Sequence, residues 1–201
     1  MKGGKMKKPL TTEALDQLFL DAHTMYRFTD RPVSEETIRH LYEVMKFGPT
    51  AANCQPGRYV FLKSKEAKER LFPCLAPDNV VKAQSAAVTV IVAMDSRFYD
   101  YLPSLWKLYD ARQPYIDNPA EAKTSALRNG TLNGAYLIMA ARALGLDCGP
   151  MTGFDNAKLD AEFFPDGRYI SNFLVNMGYG AEGGSNPRGP RLDFDEVAKI
   201  L

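Results

Sequence analysis

Little in this sequence leans toward one charge. Its 25 basic and 24 acidic side chains leave a formal net charge of +1 over 201 residues. That balance excludes the electrostatic footprint of a nucleic-acid or anionic-membrane binder. The lysines of the opening MKGGKMKK are the one basic cluster. With no apolar segment behind them they read as a frayed tail over residues 1–10, not as a signal peptide. The longest apolar run, Ala86–Met94, is far too short to cross a bilayer as a helix. Cysteine is scarce: Cys54, Cys74 and Cys148 are odd in number and show no C-x-x-C spacing, which argues against a disulfide framework and a zinc site. A reducing cytoplasm is the expected compartment.

Catalytic signatures are equally sparse. There is no Walker loop, no G-x-S-x-G, no H-E-x-x-H, and no pair of carboxylates that stands out for acid–base work. The two histidines, His23 and His40, fall on separate predicted helices, His40 as a surface residue. Gly178–Gly183, GYGAEG, matches G-x-G-x-x-G after a strand-like run, but prolines follow it where a dinucleotide site needs a helix N-terminus. A chain without its own catalytic set points to chemistry carried by a cofactor.

What is present is ordinary globular material, 45% hydrophobic and 24% charged. Thr11 or Thr12 caps a first predicted helix through His23, with Leu15, Leu18 and Phe19 on one stripe. Ser34 caps a second, which Gly48-Pro49 ends, the glycine taking a C-cap conformation and the proline stopping the ladder. RYVFLK reads as a strand, SKEAKERLF as a charged helix, and Ala86–Met94 as a central strand buried on both faces. Asn118-Pro119 opens a long helix whose second half is apolar on most sides, as at the centre of a domain or a dimer. LDCGPM and YISNFLVNMGYG are strand-like, NAKLDAEFF is helical, and DFDEVAKIL forms a short terminal helix. Helices and few strands mixed without βαβ alternation predict an α+β fold, a central sheet wrapped by helices, over residues 11–201 as one domain.

Four segments carry more than packing. HTMYRF ends the first helix, and GPTAANCQPGR holds amides and prolines but no acid, histidine or serine. DNVVK sets Asn79 and Lys82 one turn apart on a helix face. GLDCGPMTGFD pairs with NPRGPR, which brings in Arg188 and Arg191. Two guanidinium groups in a rigid Pro/Gly stretch suit a phosphate, although either alone could be a solvated surface charge.

The stretches KFGPTAANCQPGRYVF, AARALGLDCGPMTGFD, NFLVNMGYG and PRGPRL resemble the FMN-dependent nitroreductase family, over nearly the whole chain, and within it the malonic semialdehyde reductase (3-hydroxypropionate dehydrogenase) branch. The resemblance implies a mainly antiparallel sheet, a long central helix at a homodimer interface, and two FMN at that interface. It implies that His23, Thr24, Arg188 and Arg191 meet the phosphate, with Tyr26 near the ring. Asn79 and Lys82 take the positions that read the flavin's pyrimidine edge, and Lys82 would favour the reduced ring electrostatically. Pro150, Met151, Thr152 and Gly153 take positions whose backbone N–H groups face the flavin. Pro49, Thr50, Ala51, Asn53 and Gln55 match a loop that walls the partner subunit's flavin.

Three positions depart from the family. His23 stands for an arginine and can donate a hydrogen bond to a phosphate. Tyr26 stands for a Lys, Arg or Asn, and Asn133 for a Gln. Arg128 and Asn129 fit the active site or helix packing equally well. The implied activity is hydride transfer from NADH or NADPH through FMN to a small acceptor by a ping-pong cycle, the acceptor being a nitro compound, quinone, enal or 3-oxo acid such as malonic semialdehyde. Phe98, Tyr99 and Trp106 could stack on that acceptor, with core packing the rival account for Trp106. Two other readings stand beside it: a flavin-binding protein that stores or modifies FMN without turnover, and a thiol protein using Cys54, which has no charged sequence neighbour to activate it.

Overall fold

A computed structural model describes residues 8–201. The predicted basic tail falls largely on residues 1–7, outside the described part. Four antiparallel strands form one sheet in the order β1-β2-β4-β3: β1 Gly57–Leu62, β2 Val88–Asp95, β3 Asp147–Met151 and β4 Tyr169–Gly178. The helices are, in chain order, α1 Thr12–Leu15, α2 Glu35–Met45, α3 Lys65–Leu71, α4 Pro77–Ser85, α5 Leu102–Leu105, α6 Gln113–Asp117, α7 Pro119–Ala143, α8 Asn156–Phe163 and α9 Phe194–Val197.

Every residue of β2 is buried because helices cover both faces of the sheet. Val88, Val90 and Val92 pack with Leu41 and Met45 of α2 and Leu137, Ala140 and Ala141 of α7. Ile91 and Ala93 point the other way, to Leu71 of α3, Ala83 of α4 and Leu159 of α8. A third cluster, of Cys54, Met94, Phe98, Leu102, Ala111 and Ala126, closes one end of the sheet.

Local chemistry explains several boundaries. Ser34 Oγ accepts the Thr37 N–H at 3.0 Å, and Asn118 Oδ1 accepts the Glu121 N–H at 3.1 Å, capping α2 and α7 as expected. Gly48 differs from expectation, since it does not lie in the left-handed region. Its hydrogen atom is needed for space instead: a Cβ there would stand 2.7 Å from Cγ of Tyr136 on α7. The first helix is also shorter than expected, giving way after Leu15 to one wider turn over Asp16–Leu20. Its stripe is not buried within the chain, for Leu15 and Phe19 remain 40% and 51% exposed. α7 buries one face, from Ala122 to Ala141, while Leu127, Leu132 and Tyr136 stay exposed on the other. The terminal helix is a single turn, and Leu192, Phe194, Val197 and Ile200 around it are exposed.

Candidate functional site

The first group of site residues gathers on the open edge of β3. Residues 23–26 run beside that strand, with a bridge between Thr24 and Cys148 and the Met25 N–H donating to the Cys148 carbonyl at 3.0 Å. Gly149 permits this approach, since a Cβ there would stand 2.2 Å from the Met25 carbonyl oxygen. His23, Thr24 and Tyr26 thereby line a cavity of about 340 Å3 with Arg142, Arg188 and Arg191. Among the described residues, no acidic side chain lines it.

Its arginines are placed by carbonyls and keep donors to spare. Arg142 Nη1 donates to the Leu18 carbonyl at 2.9 Å, and Arg188 Nη2 donates to the carbonyls of Leu20 and Ala22. Arg191 Nη1 donates to the carbonyls of Gly189 and Pro190 at 2.9 and 3.0 Å. A guanidinium carries five N–H groups, so each can still bind an anion. Arg142 was not singled out from the sequence. At the end of a long helix, a cation reads as compensation for the helix dipole, and only the fold turns it into this cavity.

Tyr26 joins the cavity to a second patch. Lys82 Nζ lies 5.0 Å from the centroid of the Tyr26 ring and donates to Asn79 Oδ1 at 3.0 Å. Asn79 Nδ2 in turn donates to the Gly153 carbonyl at 2.9 Å, where a Cβ on Gly153 would crowd it at 2.6 Å. Asn79 is buried and both ends of its amide are engaged, so it orients Lys82 and the end of β3. Lys82 is half-buried and retains N–H donors. Pro150, Thr152 and Gly153 are exposed, but Pro150 has no N–H to offer and Met151 pairs with Leu174 in the ladder, which leaves the backbone N–H groups of Thr152 and Gly153 as donors. The Met151 side chain points into the core, its sulfur 3.5 Å from Asn176 Nδ2.

The loop before β1 is a separate group. Three non-glycine residues there have left-handed backbone, Ala52 (φ 47°), Asn53 (φ 51°) and Gln55 (φ 39°). Each such residue costs about 1–2 kcal/mol, so the loop needs compensating contacts. Thr50 Oγ1 accepts the Gln55 N–H at 3.1 Å, Gln55 Nε2 donates to Asn53 Oδ1 at 2.9 Å, and Asn53 Nδ2 donates to the Leu105 carbonyl at 3.1 Å. From α7, Asn129 Oδ1 accepts the Ala51 N–H and Asn133 Oδ1 accepts the Gly57 N–H. Pro49 is exposed and takes no part in these bonds. Burial pushes the Cys54 thiol up to about 11, so it stays protonated near neutral pH.

The loop leads into β1 at one sheet edge, whereas residues 149–153 lie at the other, three strand spacings or about 14 Å away laterally. No hydrogen bond among the described residues joins the two groups. Under the loop, Asp95 is wholly buried and receives Arg58 Nη2 at 2.7 Å, Arg168 Nε at 3.0 Å and the Arg97 N–H at 2.9 Å. Arg58 also donates to the carbonyls of Gln55 and Gly57, so this ion cluster props the loop from below.

The expected substrate wall is corrected at one residue. Phe98 is fully buried, edge-on to Tyr99 and Tyr115 at 5.7 and 4.9 Å, so it is core and out of a substrate's reach. Tyr99 is half-buried and stacks on Tyr115 at 6.4 Å. Trp106 packs on the same cluster, its Nε1 enclosed without an acceptor among the described residues.

The sequence profile of the nitroreductase family matches residues 20–179, most of the chain. The chain belongs to the nitroreductase family. Among similar members, a Burkholderia lata protein provisionally named NADH dehydrogenase/NAD(P)H nitroreductase is 53% identical over 191 residues, 95% of this chain and 98% of that one. A protein of Xanthomonas oryzae pv. oryzae with the same provisional name is 54% identical over 196 residues, 97% of this chain and 100% of that one. A provisionally named nitroreductase of Exiguobacterium sibiricum, solved in complex with FMN, matches with a TM-score of 0.81 over 97% of this chain and 100% of that one. At 20% identity this last likeness speaks for the nitroreductase fold alone.

Proposed function

We propose that this nitroreductase-family chain is an FMN-dependent oxidoreductase that takes electrons from NADH or NADPH and delivers them to a small acceptor. The observation that carries the proposal is that two patches of different character share Tyr26. A cationic cavity, lined by no acidic side chain among the described residues, shares Tyr26 with the Lys82–Asn79–Gly153 group. A phosphate fits the first patch and the hydrogen-bonding edge of a flat heterocycle fits the second, so the residues present suit FMN. The provisional names of the relatives and the FMN-bound fold neighbour support this reading.

FMN, when bound, supplies the redox chemistry by accepting and releasing a hydride. The chain's residues bind and orient. Arg142, Arg188 and Arg191, with His23 and Thr24, hold the phosphate end. Lys82 sets a positive charge beside the ring position, an electrostatic bias toward added electrons. Backbone N–H groups of Thr152 and Gly153 would hold the ring edge. Donor and acceptor then use one face in turn, a ping-pong order.

The loop around Pro49, Thr50, Ala51, Asn53 and Gln55 completes the site of a partner in a homodimer. Supporting this is its separation from the chain's own cavity, together with the exposed Leu127, Leu132 and Tyr136 on α7 and the exposed apolar C-terminal segment. Tyr99 is the remaining aromatic candidate for the acceptor wall. Acceptors are nitro compounds, quinones, enals or 3-oxo acids, malonic semialdehyde among them if the chain acts as that branch of the family does. Three unpaired, buried cysteines suit a reducing cytoplasm.

Absorbance tests the proposal. The FMN-loaded protein should bleach in the flavin band on adding NADH or NADPH without oxygen, and recover on adding one member of the acceptor panel. A protein that binds FMN but never bleaches is a flavin carrier. One that is colourless again once excess FMN is removed by desalting overturns the reading altogether.

A further inference from the structure

Helix α7 carries two asparagines one turn apart on its buried face, Asn129 and Asn133, 4% and 6% exposed. Both reach across to a loop nearly eighty positions earlier in the chain. Asn129 Oδ1 accepts the Ala51 N–H at 2.8 Å, and Asn133 Oδ1 accepts the Gly57 N–H at 3.3 Å. Asn129 cannot turn its amide around without loss. Its Nδ2 donates to the Ser125 carbonyl at 2.9 Å and to Ser125 Oγ at 3.3 Å, which leaves Oδ1 facing the loop. Gly57 approaches so closely that a Cβ there would stand 3.0 Å from Asn133 Oδ1.

The two N–H groups bracket the residues with left-handed backbone, Ala52, Asn53 and Gln55. A segment of that kind relaxes unless its ends are fixed from outside. Asn53 and Gln55 are themselves tied to each other and to Leu105, so the bracket at 51 and 57 sets where the whole loop stands. The same helix ends at Arg142 in the anion cavity, about 20 Å from Asn129 at 1.5 Å per residue. One rigid rod thus spaces the loop from the cationic cavity.

We propose that Asn129 and Asn133 are positioning residues that act through the backbone of residues 51–57 to hold the Gly48–Arg58 loop in the strained form that walls the flavin ring. This rests on the reading of that loop as a cofactor wall. Such a wall would face the ring and not the phosphate, so its loss would weaken FMN and riboflavin, which lacks the phosphate, by the same factor.

Dissociation constants from flavin fluorescence, with the visible circular dichroism of the bound flavin, test the idea on the full chain. Asn129→Ala is expected to raise both constants about tenfold and to alter the dichroism, because it leaves a backbone donor unpaired. Asn133→Ala acts in the same direction with a smaller factor, its bond being longer. Ala52→Gly placed in the Asn129→Ala protein should recover about threefold, because glycine takes the left-handed conformation without strain. Wild-type constants and dichroism in a folded Asn129→Ala protein overturn the inference while leaving the cofactor reading intact. Loss for FMN but not riboflavin overturns it too, and so does a glycine that recovers nothing. If Asn129→Ala does not fold, Asn133→Ala decides alone: a rise for both flavins supports the inference and unchanged constants overturn it. A wild-type protein that binds neither flavin overturns both readings.

Discussion

The cationic cavity and the loop before β1 solve opposite problems with the same kind of material. At the cavity, Arg142, Arg188 and Arg191 are anchored by carbonyls and keep several N–H groups unused. At the loop most of the N–H donors already have a partner: the Gln55 N–H on Thr50, the Asn53 amide on Leu105, and the Ala51 and Gly57 N–H groups on α7. The first region is built to receive charge and the second to hold shape. On the proposed reading the spare donors serve a binding site and the paired donors around left-handed residues serve a wall, and a wall needs no reactive side chain.

The contrast breaks most sharply at Asp95. Replacing it with alanine leaves Arg58 and Arg168 without their shared carboxylate beneath the loop. Urea unfolding should show a loss of about 3 kcal/mol, the scale for breaking a buried ion pair by removing one partner. A change under about 1 kcal/mol would show the cluster to be incidental. The opposite region is broken by Arg142→Ala. It should weaken FMN by about 2 kcal/mol, roughly thirtyfold, as expected for lost hydrogen bonds to a charged group, while riboflavin binding stays near wild type. Equal losses for both ligands would move Arg142 from the phosphate to the scaffold.

A finer test sharpens the loop alone. Ala52→Gly in the otherwise wild-type chain relieves left-handed strain of about 1–2 kcal/mol and adds unfolded-state freedom of about 0.5–1 kcal/mol. The net gain, about 0.5 kcal/mol of stability by urea unfolding, follows from that difference. A loss of stability would mean that the alanine methyl group packs more than it strains. The smallest effect belongs to Cys54. With its thiol raised to about 11 by burial, iodoacetamide should leave it unmodified in the folded protein near neutral pH. Labelling should rise only as the pH climbs toward that value, since the thiolate is the reactive form. Rapid labelling at neutral pH, with loss of activity and flavin still bound, would revive a thiol mechanism.

Much of the frame was legible because local chemistry dictates it. The caps at Ser34 and Asn118, the β-branched run of β2 and the helical spacing of Asn79 and Lys82 depend on neighbours a few residues away. The long segments resembling the nitroreductase family carried the rest of the fold. Gly48 shows the limit of such reasoning. Its place after a helix suggested a backbone role, but the deciding atom is a ring carbon of Tyr136, 88 residues later in the chain. Phe98 shows the same limit for a side chain, since an aromatic residue in a polar stretch looks available until Tyr99, Tyr115 and the third core cluster enclose it.

By itself, then, the sequence determined the elements, the sheet-forming runs and the chemical character of the pieces: arginines near the C-terminus, an amide-rich loop, and no catalytic set. Tertiary structure alone decided that Arg142 shares a cavity with Arg188 and Arg191, that Asp95 lies under the loop, and that Asn129 and Asn133 face it. The physical reason is range. Periodicity and capping act over one or two turns, whereas each of these arrangements joins residues tens of positions apart, which only the packing of helices across a sheet brings together.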